Sequence, residues 1–422
     1  MRIPELLAPA GDFVSLQAAI DAGADAVYFG LGTFNMRARS GVNFKLEDLP
    51  EMARRCGRIK RYLALNAIVF DGEFDALERT IAAAKDYIDA AIASDWGVIS
   101  LLRKHGIEVH ASTQMSISNS AAVEFLAAAG VARVVLAREC TLAEIARIIR
   151  QIEALHISAP GVGRDMEVEC FVHGAQCVAE SGRCFMSHSV FGKSACRGEC
   201  TQPCRRRYLI KAVDFYANED GSPVHDAKAE FILGPHTVMS ARDVCALGFV
   251  DRLMEAGIAS FKIEGRARNA NYVKTVVECY RCAIDAVAAR RYTPQLAAEL
   301  TEKAKRVFHR EFSDGMYFGR PGVDQFTDSE DSLATTVKRH VGIVIDYFAK
   351  AGIAQVQIQD HAIRSGDRLQ IHGHTTGVKE FVLGEMRRDE ERVEVGERGN
   401  WVTFKSPRCR VGDKVFFEEH RG

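Results

Sequence analysis

Eight short apolar runs occupy the first 264 residues, nearly all of them followed by a segment whose apolar residues recur at helical spacing. The runs are 6–10, 26–30, 62–69, 87–93, 107–113, 133–138, 168–173 and 261–264. Local signals support the helices between them. Asp12 stands as an N-cap before Phe13, Leu16 and Ile20, and Gly23 stops that helix. Leu46, Leu49, Met52, Ala53 and Cys56 share the face of the next. Thr141 and Glu144 form a capping box ahead of Ile145, Ile148, Ile149 and Ile152. Near-continuous apolar strands alternating with amphipathic helices predict an α/β fold with a parallel sheet covered on its outer face. Eight such units predict a TIM-type (βα)8 barrel rather than an open doubly wound sheet.

The texture changes near residue 325. The polar stretch QFTDSEDSLATTVKRH reads as a linker over 325–339. Beyond it, short strand candidates at 341–347, 354–359, 367–372, 380–383, 401–404 and 414–418 are separated by turns. That pattern predicts a small all-β barrel over 340–422, after a barrel domain over 1–324. With 422 residues, 47% of them hydrophobic, the chain can bury a large core. A net charge of −1 gives no global field toward nucleic acid or membrane, so any such binding must use local patches. No apolar run approaches the ~20 residues that span a bilayer. The start MRIPELLAPAGD lacks the pattern of a signal peptide, which leads us to expect a cytoplasmic protein whose cysteines stay reduced.

Six of the twelve cysteines fall between residues 170 and 204, within a loop after the seventh strand that spans 170–208. Cys177, Cys184, Cys200 and Cys204 read as C-x6-C-x15-C-x3-C, interleaved with glycines that let several thiolates converge. Convergent thiolates suit zinc or an iron–sulfur cluster. Zinc sites usually pair two tight knuckles, and only Cys200–Cys204 is tight here, so the spacing fits a wrapped iron–sulfur cluster better. Zinc, disulfides and unligated thiols stay open as alternatives. Cys170 and Cys196 are as well read as small buried hydrophobes.

A loop after the seventh strand lies at the C-terminal face of a barrel, where active sites are built. Asn66, Ser112, Gln114, Arg138, Glu139, His173, Lys262, Glu264 and Arg266, at other strand ends, should point to the same mouth, joined by Arg37 and Arg39. Lys262, Glu264 and Arg266 alternate on one strand and so face one side, where they must pair with each other or with an anionic ligand. Arg37 and Arg39 are spaced to grip a carboxylate or phosphate. His173 and Cys177 could form a nucleophile and base, but a cluster of cysteines argues against a single activated thiol. Neither an H-E-x-x-H helix nor a G-x-S-x-G elbow is present. Arg205, Arg206 and Arg207 form the sharpest basic run, placed to meet RNA phosphates. The C-x2-C of Cys279 and Cys282 lies on an apolar helical face and reads as core.

The segment ECFVHGAQCVAESGRCFMS, with ELLAPAGD, ADAVYFG, SARDVCAL and FKIEGR, resembles peptidase family U32, often labelled collagenase-like. The resemblance covers essentially the whole chain and comes nearest in layout to the type that hydroxylates tRNA. It implies oxygen-independent hydroxylation of a tRNA wobble uridine to 5-hydroxyuridine, with a 4Fe–4S cluster and prephenate as the source of the hydroxyl group. Relatives implied alongside act on ribosomal RNA or a quinone precursor, and the family label keeps a peptidase as the alternative. Carried over by motif, the cluster ligands match Cys177, Cys184, Cys200 and Cys204, with Cys245 in reserve for the fourth. On this reading Arg37, Arg39, Asn66, Gln114, Arg138, Lys262 and Arg266 hold the small anionic co-substrate. His173 and Glu264 move protons, and Arg205, Arg206 and Arg207 meet tRNA. A paralogous family member is a further expected partner.

Overall fold

The computed structural model describes residues 2–39, 43–179, 181, 183–206, 239–319, 325–327, 329 and 331–421, and the backbone of four short strands between 208 and 236. Eight parallel strands close into a barrel: β1 Glu5–Pro9, β2 Ala26–Phe29, β3 Lys60–Leu65, β4 Ala90–Ala93, β5 Glu108–Ala111, β6 Arg133–Val135, β7 Glu167–Ala175 and β8 Ser260–Ile263. Each pairs with its sequence neighbour, and β8 pairs with both β7 and β1 to complete the ring. The runs at 62–69 and 87–93 were read too long. The third strand ends at Leu65, and 85–87 is a turn of 3₁₀ helix.

The outer layer follows the predicted caps. Asp12 accepts a hydrogen bond from Ser15 N at 2.7 Å and opens α1, Phe13–Asp21. The helices α2 Leu49–Cys56, α3 Phe74–Ala84, α4 Trp96–Lys104 and α5 Ser120–Ala128 follow β3's flanks and the next two strands. α6, Leu142–Leu155, starts on the expected box: Thr141 N donates to Glu144 Oε2 at 2.7 Å, and Glu144 N donates back to Thr141 Oγ1. Outward-facing strand residues such as Leu6, Val27, Phe29 and Leu63 join these helices in one core.

The inside of the barrel is less uniform than apolar strands suggested. On the β1–β4 side it is packed with Leu7, Ala26, Tyr28, Tyr62, Ala90 and Ile92. On the opposite side it is ionic. Arg133, 2% exposed, reaches Glu5 at 2.6 Å, Glu167 at 2.7 Å and Glu169 at 3.3 Å. Lys262 meets Glu169 at 2.8 Å. Desolvating these charges costs several kcal/mol each, and it is offset only because each has close partners.

Between β7 and β8 the chain makes its cysteine-rich excursion and returns as a short strand, Asp243–Cys245, antiparallel to β7. The C-terminal residues form an eight-stranded antiparallel sheet around Val341, Val344, Val356, Leu369, Ile371 and Val415. Its first strand, Thr336–Phe348, begins inside the stretch read as a linker, and a hairpin of Met386–Arg388 with Glu391–Val393 escaped the sequence reading. The sheet docks on the barrel through Arg306 to Glu418 at 2.6 Å and Lys379 to Asp21 at 2.5 Å. Among the described residues, no helix is long and apolar enough to cross a membrane.

Candidate active site at the barrel mouth

The C-terminal ends of the strands surround a cavity of about 140 Å³. Its wall includes Asn66 after β3, Ser112 and Gln114 after β5, Arg138 after β6, Gln176 and Cys177 after β7, and Lys262, Glu264 and Arg266 on and after β8. Cys177, Cys184, Cys200 and Cys204 all face it.

The cysteine segment is sewn into the mouth by side chains beside the thiols. Arg205, next to Cys204, donates to the carbonyl of Gln176 at 2.6 Å and to Ser240 Oγ at 3.0 Å, with a further short bond to the Ala241 carbonyl. This ties the fourth cysteine to the residue preceding the first. Glu139 accepts from both N and Oγ of Ser181 at 2.9 Å, pinning the loop between Cys177 and Cys184. Arg183 Nε donates to the Gln114 carbonyl at 2.9 Å. Ser187 Oγ receives the Thr201 N–H at 3.2 Å, joining the Cys184 side to the Cys200 side.

Burial raises the thiol pKa of Cys184 and Cys204, and the neighbouring cysteines raise both further, so the four sulfurs feel one another. Among the described residues, no three cysteine, histidine or carboxylate side chains stand close enough together to hold one metal ion. A single zinc needs four donors within about 2.3 Å of one point. Four thiols on one cavity wall are soft donors of the kind that bind zinc or an iron–sulfur cluster.

The rest of the wall is cationic. Arg37, Arg138, Arg205, Lys262 and Arg266 line the cavity, and among the described residues Glu264 is the one carboxylate opposite them. Lys262 is spent on Glu169, and Arg37 meets Glu264 at 3.0 Å. Burial would push Glu264 up, but Arg37, Arg138 and Arg266 outweigh it and hold its carboxyl near 2. Arg266 is 7% exposed and its Nη1 has no hydrogen-bond partner. Burial lowers its pKa to about 10, which leaves it charged at neutral pH. Arg138 donates to the Ala175 carbonyl at 3.2 Å and lies 4.3 Å over the Phe171 ring, with Nε unpartnered. Each guanidinium thus leaves a buried nitrogen without a hydrogen-bond partner, an arrangement that suits an anionic ligand. Gly30 makes room for this arrangement. A Cβ there would collide with Arg266 Nη1 and stand 2.6 Å from Asn43 Oδ1.

Several expected residues lie elsewhere. His173 is 2% exposed behind the wall, packed among Tyr272, Tyr280 and Phe312. Burial, helped by His309, lowers it to about 3, so it is neutral at pH 7, and it lines a smaller neighbouring pocket rather than the mouth cavity. Arg39 has its side chain 75% exposed and pairs with Glu199 at 2.5 Å outside the cavity. Arg205 is a buried tie and not a surface contact, Arg206 is exposed, and Arg207 lies outside the described residues. Cys245 is buried away from the cavity, its thiol pushed up to about 12 by burial. Cys279 is core as read, but Cys282 is exposed. Tyr28 was passed over: it lines the cavity and its hydroxyl donates to the Ile263 carbonyl at 3.0 Å. Its position at the C-terminal end of β2 was the available signal.

Peptidase family U32 matches residues 11–327, the barrel and its cysteine-rich excursion together. The chain belongs to that family. Relatives are similar over most of its length. A protein named collagenase from Porphyromonas gingivalis is 37% identical over 98% of this chain and 97% of its own. The tRNA hydroxylation protein P1 of Bacillus subtilis is 33% identical over 88% of this chain and 83% of its own. The 23S rRNA 5-hydroxycytidine synthase of Escherichia coli is 33% identical over 81% of this chain but only 50% of its own.

Proposed function

We propose that this chain is a cytoplasmic enzyme that hydroxylates an RNA base without oxygen, acting on the wobble uridine of tRNA to form 5-hydroxyuridine. The observation that carries the reading is one cavity walled by four thiols and by a buried guanidinium, Arg266, with an unpartnered donor. In this reading Cys177, Cys184, Cys200 and Cys204 hold a 4Fe–4S cluster, which supplies the electron transfers of the reaction. Binding it requires the thiols to lose their protons, which burial favours keeping at Cys184 and Cys204.

Arg266 and Arg138 bind the small anionic co-substrate, prephenate, whose carboxylates match planar guanidinium donors. Asn66, Ser112 and Gln114 form a hydrogen-bonded patch that presents amide and hydroxyl groups to a base edge. Glu264 orients Arg37 and stays ionised, so it positions and does not act as an acid. The relatives named for tRNA and rRNA hydroxylation support this class of substrate.

The relative named collagenase keeps the peptidase as the second reading. Against it, no histidine lines the cavity among the described residues, so no thiol there has a neighbouring base. The test is nucleoside mass analysis of tRNA from cells lacking the chain and from the same cells carrying it. Hydroxyuridine restored by the wild type and not by Cys200→Ser supports the proposal. Unchanged tRNA nucleosides together with peptide hydrolysis by the purified protein would replace it with the peptidase.

A further inference from the structure

Outside the cavity, the same segment that carries the cysteines exposes an unusual amount of aromatic surface. Phe185, directly after Cys184, is 78% exposed, and Phe191, at the end of the short helix Met186–Phe191, is 39% exposed. His188 stands edge-on to Phe185 at 5.4 Å, and the Arg206 guanidinium lies 4.7 Å over the Phe191 ring. Across the rim, Phe70 is 59% exposed beneath the guanidinium of Arg197, which donates to the Ile68 carbonyl at 3.0 Å.

The charge around these rings is one-sided. Glu73 is held by Arg197 at 2.7 Å and Glu199 by Arg39 at 2.5 Å. Arg183, Lys193 and Arg206 are exposed, and none has a carboxylate partner among the described residues. Scattered exposed phenylalanines are ordinary, but rings interleaved with unpaired cations beside a cavity form the surface that binds single-stranded nucleic acid. The cavity itself has room on the scale of one ring and not of a base pair, so its target must be unpaired.

Resting on the RNA reading above, we propose that this rim is the platform for the nucleotides flanking the target base in unpaired RNA. Phe185 and Phe191 stack neighbouring bases, and Arg183, Lys193 and Arg206 take the phosphates between them. The enzyme thereby selects a loop before it selects a base.

The test measures fluorescence anisotropy of a labelled single-stranded oligouridylate, and of its duplex with oligoadenylate, on the metal-loaded protein. Phe185→Ala and Phe191→Ala should each weaken the single strand by about tenfold, the scale of one lost base stack. Phe185→Tyr should restore binding, and Phe185→Leu should not. Arg206→Gln should flatten the salt dependence. Phe125→Ala, an exposed ring on α5, serves as the remote control. Equal binding of duplex and single strand, full binding by Phe185→Leu, or unchanged binding by both alanine variants would overturn the platform. The two proposals separate cleanly. If the wild type makes hydroxyuridine and the alanine variants keep its KM for tRNA, the platform falls alone. If the phenylalanines govern binding but no hydroxyuridine forms, the reaction falls and the platform stands.

Discussion

Replacing Arg133 by methionine keeps the volume of the side chain and removes the cation at the centre of the barrel floor. Glu5, Glu167 and Glu169 then lose their shared partner. The losses are unequal. Glu169 keeps Lys262 at 2.8 Å, and Glu5 keeps the Tyr62 hydroxyl at 2.7 Å. Glu167 is 6% exposed and is held near 2 in the wild type, where burial raises it but Arg133 and then Arg2 and Arg164 pull it down further. The distance from its ordinary 4.5 to about 2 corresponds to roughly 3 kcal/mol. Breaking a buried pair costs about 3–5 kcal/mol, and the remaining partners place Arg133→Met at the lower end.

The pH dependence gives the sign. In the wild type a depressed carboxylate stabilises the fold fully above its ordinary range, and that contribution is lost as pH falls toward 2. Without Arg133, the largest of the partners that pull Glu167 down, burial lifts that carboxyl back up, so its protonation on acidification relieves part of the cost in the folded state. Urea unfolding followed by circular dichroism should therefore show a penalty of about 3 kcal/mol at pH 7 that shrinks at pH 5. A loss under about 1 kcal/mol, or a penalty that grows on acidification, would refute this account of the barrel floor.

Other outcomes follow from the mouth. Arg266→Gln should raise the KM for an anionic co-substrate by about tenfold or more, measured by steady-state kinetics, because it removes the buried donor Nη1 that has no protein hydrogen-bond partner. Gly30→Ala should reproduce that kinetic defect by displacing the same guanidinium, and steady-state kinetics of the two variants and their double mutant would show non-additive effects. Cys245→Ser should leave the metal content intact, as measured by elemental analysis, since Cys245 does not reach the cavity. Asp12→Ala should cost about 1 kcal/mol by urea unfolding, the usual value of a lost N-cap.

The barrel was legible because its outer face obeys simple rules: caps at Asp12 and Thr141, and apolar strands against apolar helical faces. The position of the mouth was legible because strand ends in a barrel point one way, and Asn66, Gln114, Arg138 and Glu264 do line the cavity there. What stayed hidden depends on closure. Nothing local pairs Arg133 with Glu5, which lies across the ring. Arg205 reads as a surface charge until the return strand brings Ala241 and Ser240 over it. His173 faces away because β7 is flanked by β8 and the strand Asp243–Cys245, and Gly174 next to it adopts φ +105° against the Glu264 carbonyl. That turn of the backbone cannot be read from alternation alone. The hairpin at Met386–Arg388 was missed because its exposed, charge-rich strands carry little apolar pattern.

The central claim is that four thiols at the barrel mouth hold a 4Fe–4S cluster that serves RNA hydroxylation. Anaerobic purification, followed by iron, sulfide and zinc analysis with a visible absorption spectrum, tests it most directly. The account predicts about four irons and four sulfides per chain with broad absorption near 400 nm, lost together in each serine variant of Cys177, Cys184, Cys200 and Cys204. Stoichiometric zinc without sulfide, or an intact cluster in any one of those variants, would contradict it.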